Sequence, residues 1–320
     1  MSNPIIIVAG EPNSVFLEIF FKSIDRLKHE SPLILICSEK LLKVQMKFFK
    51  FKKKVRLLNQ RKLKDYKLDN NSINLINVDY KFDKIFDKVS KNSNQYIKDS
   101  FLLACKILKS NYTNKFINGP ISKKHFLEKK YLGITEYLSK KFKTTSTCML
   151  IYNKKLSVCP LTTHLPLKFV SNSINQKLII DKIKLIDFFY KKELFIKPRI
   201  GILGLNPHCE TIDKIDEEKK IIYPAITKLK DLNIKIFGPI SADTAFLKQN
   251  RKKYDVIVGM YHDQVLTPIK TLFEYDAINI TIGLPFLRIS PDHGPNEKMI
   301  SKNLSDPLSL IKAIKFLDKR

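Results

Sequence analysis

Short apolar, β-branched runs alternate along this chain with longer stretches whose apolar residues recur at helical spacing. Pro4–Ala9 reads as a buried strand ended by Gly10-Glu11-Pro12, and VFLEIFFKSIDRL follows as a helix that Asn13 or Ser14 can cap. Leu33–Cys37 is a second strand, followed by a basic helical stretch. Residues 52–98 carry little pattern beyond one possible strand in NNSINLINVDY. Asn94–Lys109 is an amphipathic helix, and KFINGPISKKHF a strand running through a Gly-Pro turn into a helix start. CMLIYN, LSVCPLTTHLPL, PRIGILGL, IKIFGPISADTAFL, DVIVGMYHDQ and AINITIGLP then read as strands. SINQKLIIDKIKLIDFFYKK and EEKKIIYPAITKLKDL are helices between them. The tail DPLSLIKAIKFLDK is a helix with Ser305 or Asp306 as its cap and Pro307 as its first residue. Alternation of this kind predicts an α/β fold with a mostly parallel sheet covered on both faces.

Composition sets bounds on that picture. A chain of 320 residues, 44% apolar, builds one large domain or two ordinary ones. The formal charge of +27 is the footprint expected of a nucleic-acid partner, yet the lysines are spread along the chain and Trp is absent. Dispersed lysine reads better as a compositional habit, so neither a nucleic-acid nor a membrane partner is assigned. The run KFFKFKKKVR at 47–56 is the densest basic patch and keeps a nucleic-acid reading open beside that of a solvated helix end. The five cysteines are scattered without CxxC pairing, which fits a reducing, cytoplasmic setting. The start MSNPIIIVAGEP lacks the pattern of a signal peptide, and no stretch reaches about 18 consecutive apolar residues.

Candidate chemistry gathers just past the strands. Three of the six histidines, His164, His208 and His262, each follow a β-type run, and His293 lies in a fourth such context. Strands of a parallel sheet share a carboxyl edge, so these imidazoles can meet in space. Three neutral imidazoles suit one divalent ion, with zinc, magnesium, cobalt and manganese all open, and leave a position for water or substrate. Asp243 and Asp263 are natural partners to orient the rings. Lys123 with Lys124 at the Gly-Pro turn, Lys270 and Arg288 offer positive charge to a phosphate or carboxylate.

At these residues the chain resembles the 4-hydroxythreonine-4-phosphate dehydrogenase family of vitamin B6 biosynthesis. The blocks that carry the likeness are GEP at 10–12, NGPISK at 118–123, GITEY at 133–137, TTHLPLK at 162–168 and GLNPH at 204–208. GPISADT at 238–244, MYHDQ at 260–264 and NITIGLPFLRISPDHG at 279–294 extend it almost to the end. The resemblance implies two α/β/α domains of the isocitrate/isopropylmalate dehydrogenase type with an inter-domain cleft. It also implies a homodimer with a shared active site. The implied metal ligands are His164, His208 and His262, and the implied substrate contacts Thr135, Lys270, Asn279 and Arg288. Asp243, Asp263 and Lys270 take the catalytic roles, and Asp292, His293 and Gly294 the cofactor side. The implied reaction is NAD- or NADP-dependent oxidation of 4-phosphooxy-L-threonine at its C3 hydroxyl, followed by loss of CO2.

Three departures from the family pattern are visible. Ile134 stands where the family usually has a substrate-contacting histidine, which motivates an alternative substrate among other phosphorylated four-carbon hydroxy acids. The start reads GEPNSVFLE in place of a glycine-rich GEPxGIGPE. After DHG the chain reads PNEKMIS, placing Lys298 where an acid is expected, a reason to test NADP as well as NAD. The expected domains are 1–125 with 280–320 on the cofactor side, and 126–279 for metal, substrate and the dimer interface.

Overall fold

The computed structural model describes residues 3–122, 126, 131, 133–211, 216–291 and 294–320. It divides into two compact units, Met1–Lys143 with Leu284–Arg320, and Thr144–Gly283. The first crossing, expected near 125, falls at 143/144 because the helix Ile134–Phe142 buries Tyr137 and Leu138 in the first unit's core. The second falls at 283/284, close to the expected 280.

The first unit is built on β1 (Ile5–Val8), β2 (Leu33–Cys37), β3 (Lys54–Leu57), β4 (Ser72–Asn77), β5 (Lys115–Asn118) and β12 (Leu287–Pro291). They lie in the order β3-β4-β2-β1-β5-β12, every pair parallel. β1 and β2 are buried along their whole length, which is why they read as continuous apolar runs. β3 was invisible to pattern reading because it is an edge strand of half-exposed residues inside the basic run. Within the run Phe51 stacks on Phe21 at 4.8 Å between ring centroids, while Phe48 stays exposed. The run's lysines decorate a helix end and a sheet edge.

Local signals set the helix starts. Ser38 Oγ accepts from Leu41 N at 3.3 Å and caps Glu39–Phe48. The helix Phe16–Arg26 has Val15 at its N-cap, not Asn13 or Ser14, and no side-chain cap bond; Ser14 Oγ instead accepts from Phe16 N in the turn that leads into it. At the tail, Asp306 Oδ1 accepts from Leu308 N at 2.8 Å, so the helix Leu308–Asp318 begins one residue after Pro307. The helix Asn94–Lys109 buries Ile97, Phe101, Ala104 and Leu108, one face at helical spacing. Phe101 is the hub there, 6.1–6.3 Å from the rings of Phe116, Phe126 and Tyr137.

The second unit holds β6 (Cys148–Tyr152), β7 (Ser157–Thr162), β8 (Ile200–Leu203), β9 (Ile236–Ile240), β10 (Val256–Tyr261) and β11 (Ile278–Ile282). Their order is β11-β6-β7-β10-β8-β9, with β6 antiparallel to both neighbours and the rest parallel. Helices Gln176–Phe189 and Tyr223–Asp231 cover this sheet, the former capped by Asn175, whose Oδ1 accepts from Leu178 N at 2.8 Å. The helix His262–Phe273 contains Pro268, a residue that removes a donor and hides a helix from pattern reading. β10 accordingly stops at Tyr261, and His262 begins a helix rather than extending the strand.

Phe101→Ala removes the ring at the centre of the first unit's aromatic cluster. It is expected to cost about 3–5 kcal/mol of unfolding free energy in a urea titration; a loss below about 1 kcal/mol would show that the cluster does not carry that core.

Candidate active site

β7, β10 and β8 are adjacent and parallel, so their carboxyl ends reach one edge of the second unit's sheet. His164 lies just after β7, His262 directly after β10, and His208 in the turn Gly204–His208 after β8. The strands that precede all three histidines thus end on that edge. The rings of His164 and His262 come together, with centroids 5.8 Å apart and planes tilted by 36°. His262 Nδ1 is 2.7 Å from Asp263 Oδ1, a contact that settles the ring's orientation and turns Nε2 away. His208 is exposed on its turn; among the described residues no three His, Cys, Asp or Glu side chains close into one ion-binding group.

Two of these histidines hold costly backbone. His164 has φ 53° and His208 φ 55°, the left-handed region, which costs roughly 1–3 kcal/mol at a residue with a side chain. Such conformations persist where surrounding structure enforces them. The donor set suits a divalent ion: imidazoles on three neighbouring strand ends, two already adjacent, and one oriented by a carboxylate.

Other expected residues of this unit sit around the same sheet. β9 is parallel to β8, and Asp243 follows it, exposed, in the short helix Ala242–Ala245. Lys270 lies on the helix His262–Phe273, half-buried, and burial lowers its pKa below that of an ordinary lysine. Asn279 is on β11, and its Oδ1 is buried with no hydrogen-bond partner among the described residues, an acceptor suited to a ligand's N–H or O–H.

Thr135 and Arg288 belong to the first unit. Arg288, on β12, is only 2% exposed. Its Nε donates to Asn118 Oδ1 at 2.7 Å, and its Nη1 lies 3.4 Å from Thr135 Oγ1. Burial pulls its pKa down to about 10 against the opposing attraction of Glu136. The amide thus fixes the plane of a buried guanidinium, the fork geometry that suits a carboxylate or phosphate. Asn118, which closes β5, was missed as a functional residue although it opens the NGPISK block. Ile134 begins the helix that carries Thr135 and packs against the aromatic core, away from any hydrogen-bonding role.

On the cofactor side, Asp292 and His293 lie outside the described residues, as do Lys123 and Lys124. Gly294 is exposed, with no atom within 4 Å of the place a Cβ would occupy. Lys298 is exposed on the one-turn helix Glu297–Met299.

Comparison with known proteins bears on this arrangement. The family model described as "Pyridoxal phosphate biosynthetic protein PdxA" matches residues 28–317. A 4-hydroxythreonine-4-phosphate dehydrogenase from Sulfurihydrogenibium sp. is 37% identical over 316 residues, covering 96% of this chain and 95% of the relative. A D-threonate 4-phosphate dehydrogenase from Pectobacterium atrosepticum is 39% identical over 165 residues, 51% of each chain. The crystal structure of 4-hydroxythreonine-4-phosphate dehydrogenase from Klebsiella pneumoniae superposes with a TM-score of 0.86 at 26% identity, covering 100% of this chain and 99% of that one. With a relative aligned nearly from end to end and a family match that spans both units, this chain belongs to the pyridoxal phosphate biosynthetic PdxA family.

Proposed function

We propose that this chain oxidises 4-phosphooxy-L-threonine at C3 with NAD or NADP, using a divalent ion held by His164, His208 and His262. The observation that supports it most directly is the set of three histidines on the shared carboxyl edge of β7, β10 and β8, with two rings 5.8 Å apart. When bound there, a divalent ion would polarise the C3 oxygen and make its proton easier to remove.

The chain's own residues do the rest. In the oxidation the C3–H and O–H bonds would break, with a bound nicotinamide cofactor supplying the hydride acceptor, and Lys270, half-buried on its helix, is the residue assigned to take the proton. Asp263 holds the His262 ring, and Asp243 stands as a second carboxylate at that edge. The family resemblance assigns substrate contacts to Thr135 and Arg288 of the first unit, which lie 3.4 Å apart, and to Lys270 and Asn279 of the second. The resulting β-keto acid loses CO2 to give 3-amino-2-oxopropyl phosphate. Asp292, His293 and Gly294 are assigned to the cofactor by the family resemblance, which also implies a homodimer with a shared active site and a place in the cytoplasm. No helix among the described residues is long and apolar enough to cross a membrane.

A second reading is D-threonate 4-phosphate or a similar phosphorylated four-carbon hydroxy acid. Ile134, which offers no hydrogen bond, and the similarity to a relative named for D-threonate 4-phosphate both favour it.

A cofactor-reduction assay with both substrates, and with NAD and NADP side by side, separates the readings. Activity on 4-phosphooxy-L-threonine that a chelator abolishes and added metal restores is the expected result. Preference for D-threonate 4-phosphate would install the second reading, and no reduction of either cofactor by metal-replete protein would refute both. His208→Ala should lose bound metal and drop activity at least about 100-fold while the fold survives; full activity with normal metal content removes His208 from the site. Arg288→Lys gives up the planar fork and its bond to Asn118, so kcat/KM should fall about 10- to 100-fold, whereas unchanged kinetics would clear Arg288 of substrate binding. Ile134→His should lower KM for 4-phosphooxy-L-threonine or leave it unaltered; a steep rise would mean the pocket has been rebuilt around isoleucine.

A further inference from the structure

Thr162 Oγ1 donates to Met260 O at 2.8 Å and ties the end of β7 to the end of β10. The β10–β8 ladder is paired as far as Val258↔Ile202. Beyond that point Gln264 takes over. Its Oε1 accepts from Met260 N at 2.7 Å, and its Nε2 donates to Gly204 O at 2.8 Å. One primary amide thus acts as a peptide unit would, accepting from one strand end and donating to the other. Gly259 lets it approach, since a Cβ there would stand 2.5 Å from Val265 Cγ1 and 3.0 Å from Gln264 Oε1.

The tie continues past β8. Leu205 N and Asn206 N donate to Glu218 Oε1 at 2.7 and 2.8 Å, and Asn206 Nδ2 donates to Glu218 Oε2 at 2.8 Å. Glu218 is fully buried. Asn206 Nδ2 also donates to Glu217 Oε2 at 2.9 Å, and Glu217 Oε1 accepts from Ser171 Oγ. His164, His262 and His208 are the side chains that this string of bonds passes: two residues after Thr162, between Met260 and Gln264, and two residues after Asn206.

We infer that Gln264, with Glu218, is a positioning residue that fixes the spacing of the histidine-bearing turns where the β10–β8 backbone ladder has ended. The inference rests on the reading that these histidines bind a divalent ion. It goes further in naming side chains that touch neither metal nor substrate yet set the geometry of the imidazoles. Between β10 and β8 the backbone ladder stops at Val258↔Ile202, and His164 and His208 hold left-handed backbone, so without the brace these turns would relax. Outer partners of this kind are worth about 10- to 100-fold in metal affinity.

The test is a Co2+ titration of the full-length protein followed by visible absorption, with thermal melting alongside. Gln264→Glu keeps the acceptor for Met260 N but sets a carboxylate oxygen against Gly204 O. It should weaken Co2+ binding about 10- to 100-fold and alter the ligand-field bands. Ile183→Val, a core truncation in the helix Gln176–Phe189, should lower the melting temperature while leaving affinity and spectrum as they were. Should Gln264→Glu fail to fold, Thr162→Val removes only the β7 tie in a side chain of nearly the same shape and should weaken binding in the same direction. A folded Gln264→Glu, or Thr162→Val in its place, with wild-type affinity and spectrum overturns the inference. Wild-type protein that binds no Co2+ overturns the metal reading on which it rests.

Discussion

The arrangement depends first on the parallel pairing of β7, β10 and β8. Three strands from distant parts of the chain, 157–162, 256–261 and 200–203, lie side by side with their carboxyl ends together. Hydrogen-bonded ladders between buried apolar residues enforce that alignment, because a slip of one residue would turn every core side chain outward. The histidines therefore do not need to be near each other in sequence. They need only to follow strands that pair.

Where the ladder stops, side chains continue its work. Gln264 bridges the ends of β10 and β8, Thr162 adds a side-chain bond between β7 and β10, Glu218 accepts from the turn after β8, and two histidines hold left-handed backbone in these turns. The first unit solves a different problem, that of keeping a guanidinium out of water. Arg288 is 2% exposed and is supported by the Asn118 amide and the nearby Glu136 charge. Burying a cation costs several kcal/mol unless it is paired and hydrogen-bonded, which is why these partners matter.

The net charge of +27 has a separate explanation. The densest basic run ends one helix, packs Phe51 on Phe21, and supplies β3 at a sheet edge. Lysines on an edge strand discourage pairing with another chain.

What the sequence by itself determined was whatever local pattern controls: the buried strands β1, β2, β7, β8 and β10, the amphipathic helix Asn94–Lys109, and the histidines just past strand ends. Each is legible because its signal, apolar period or ligand type after a strand, lies within a few residues. β3 escaped because an edge strand has no continuous apolar run, and the helix His262–Phe273 because Pro268 interrupts its pattern. Only the tertiary structure decided that the helix Ile134–Phe142 belongs to the first unit, since its attachment is made by contact of Tyr137 with Phe101. It alone showed that Asn118 holds Arg288 and that Gln264 spans β10 and β8. Those bonds join residues 60 and 170 positions apart, and no local period records a partner at that distance.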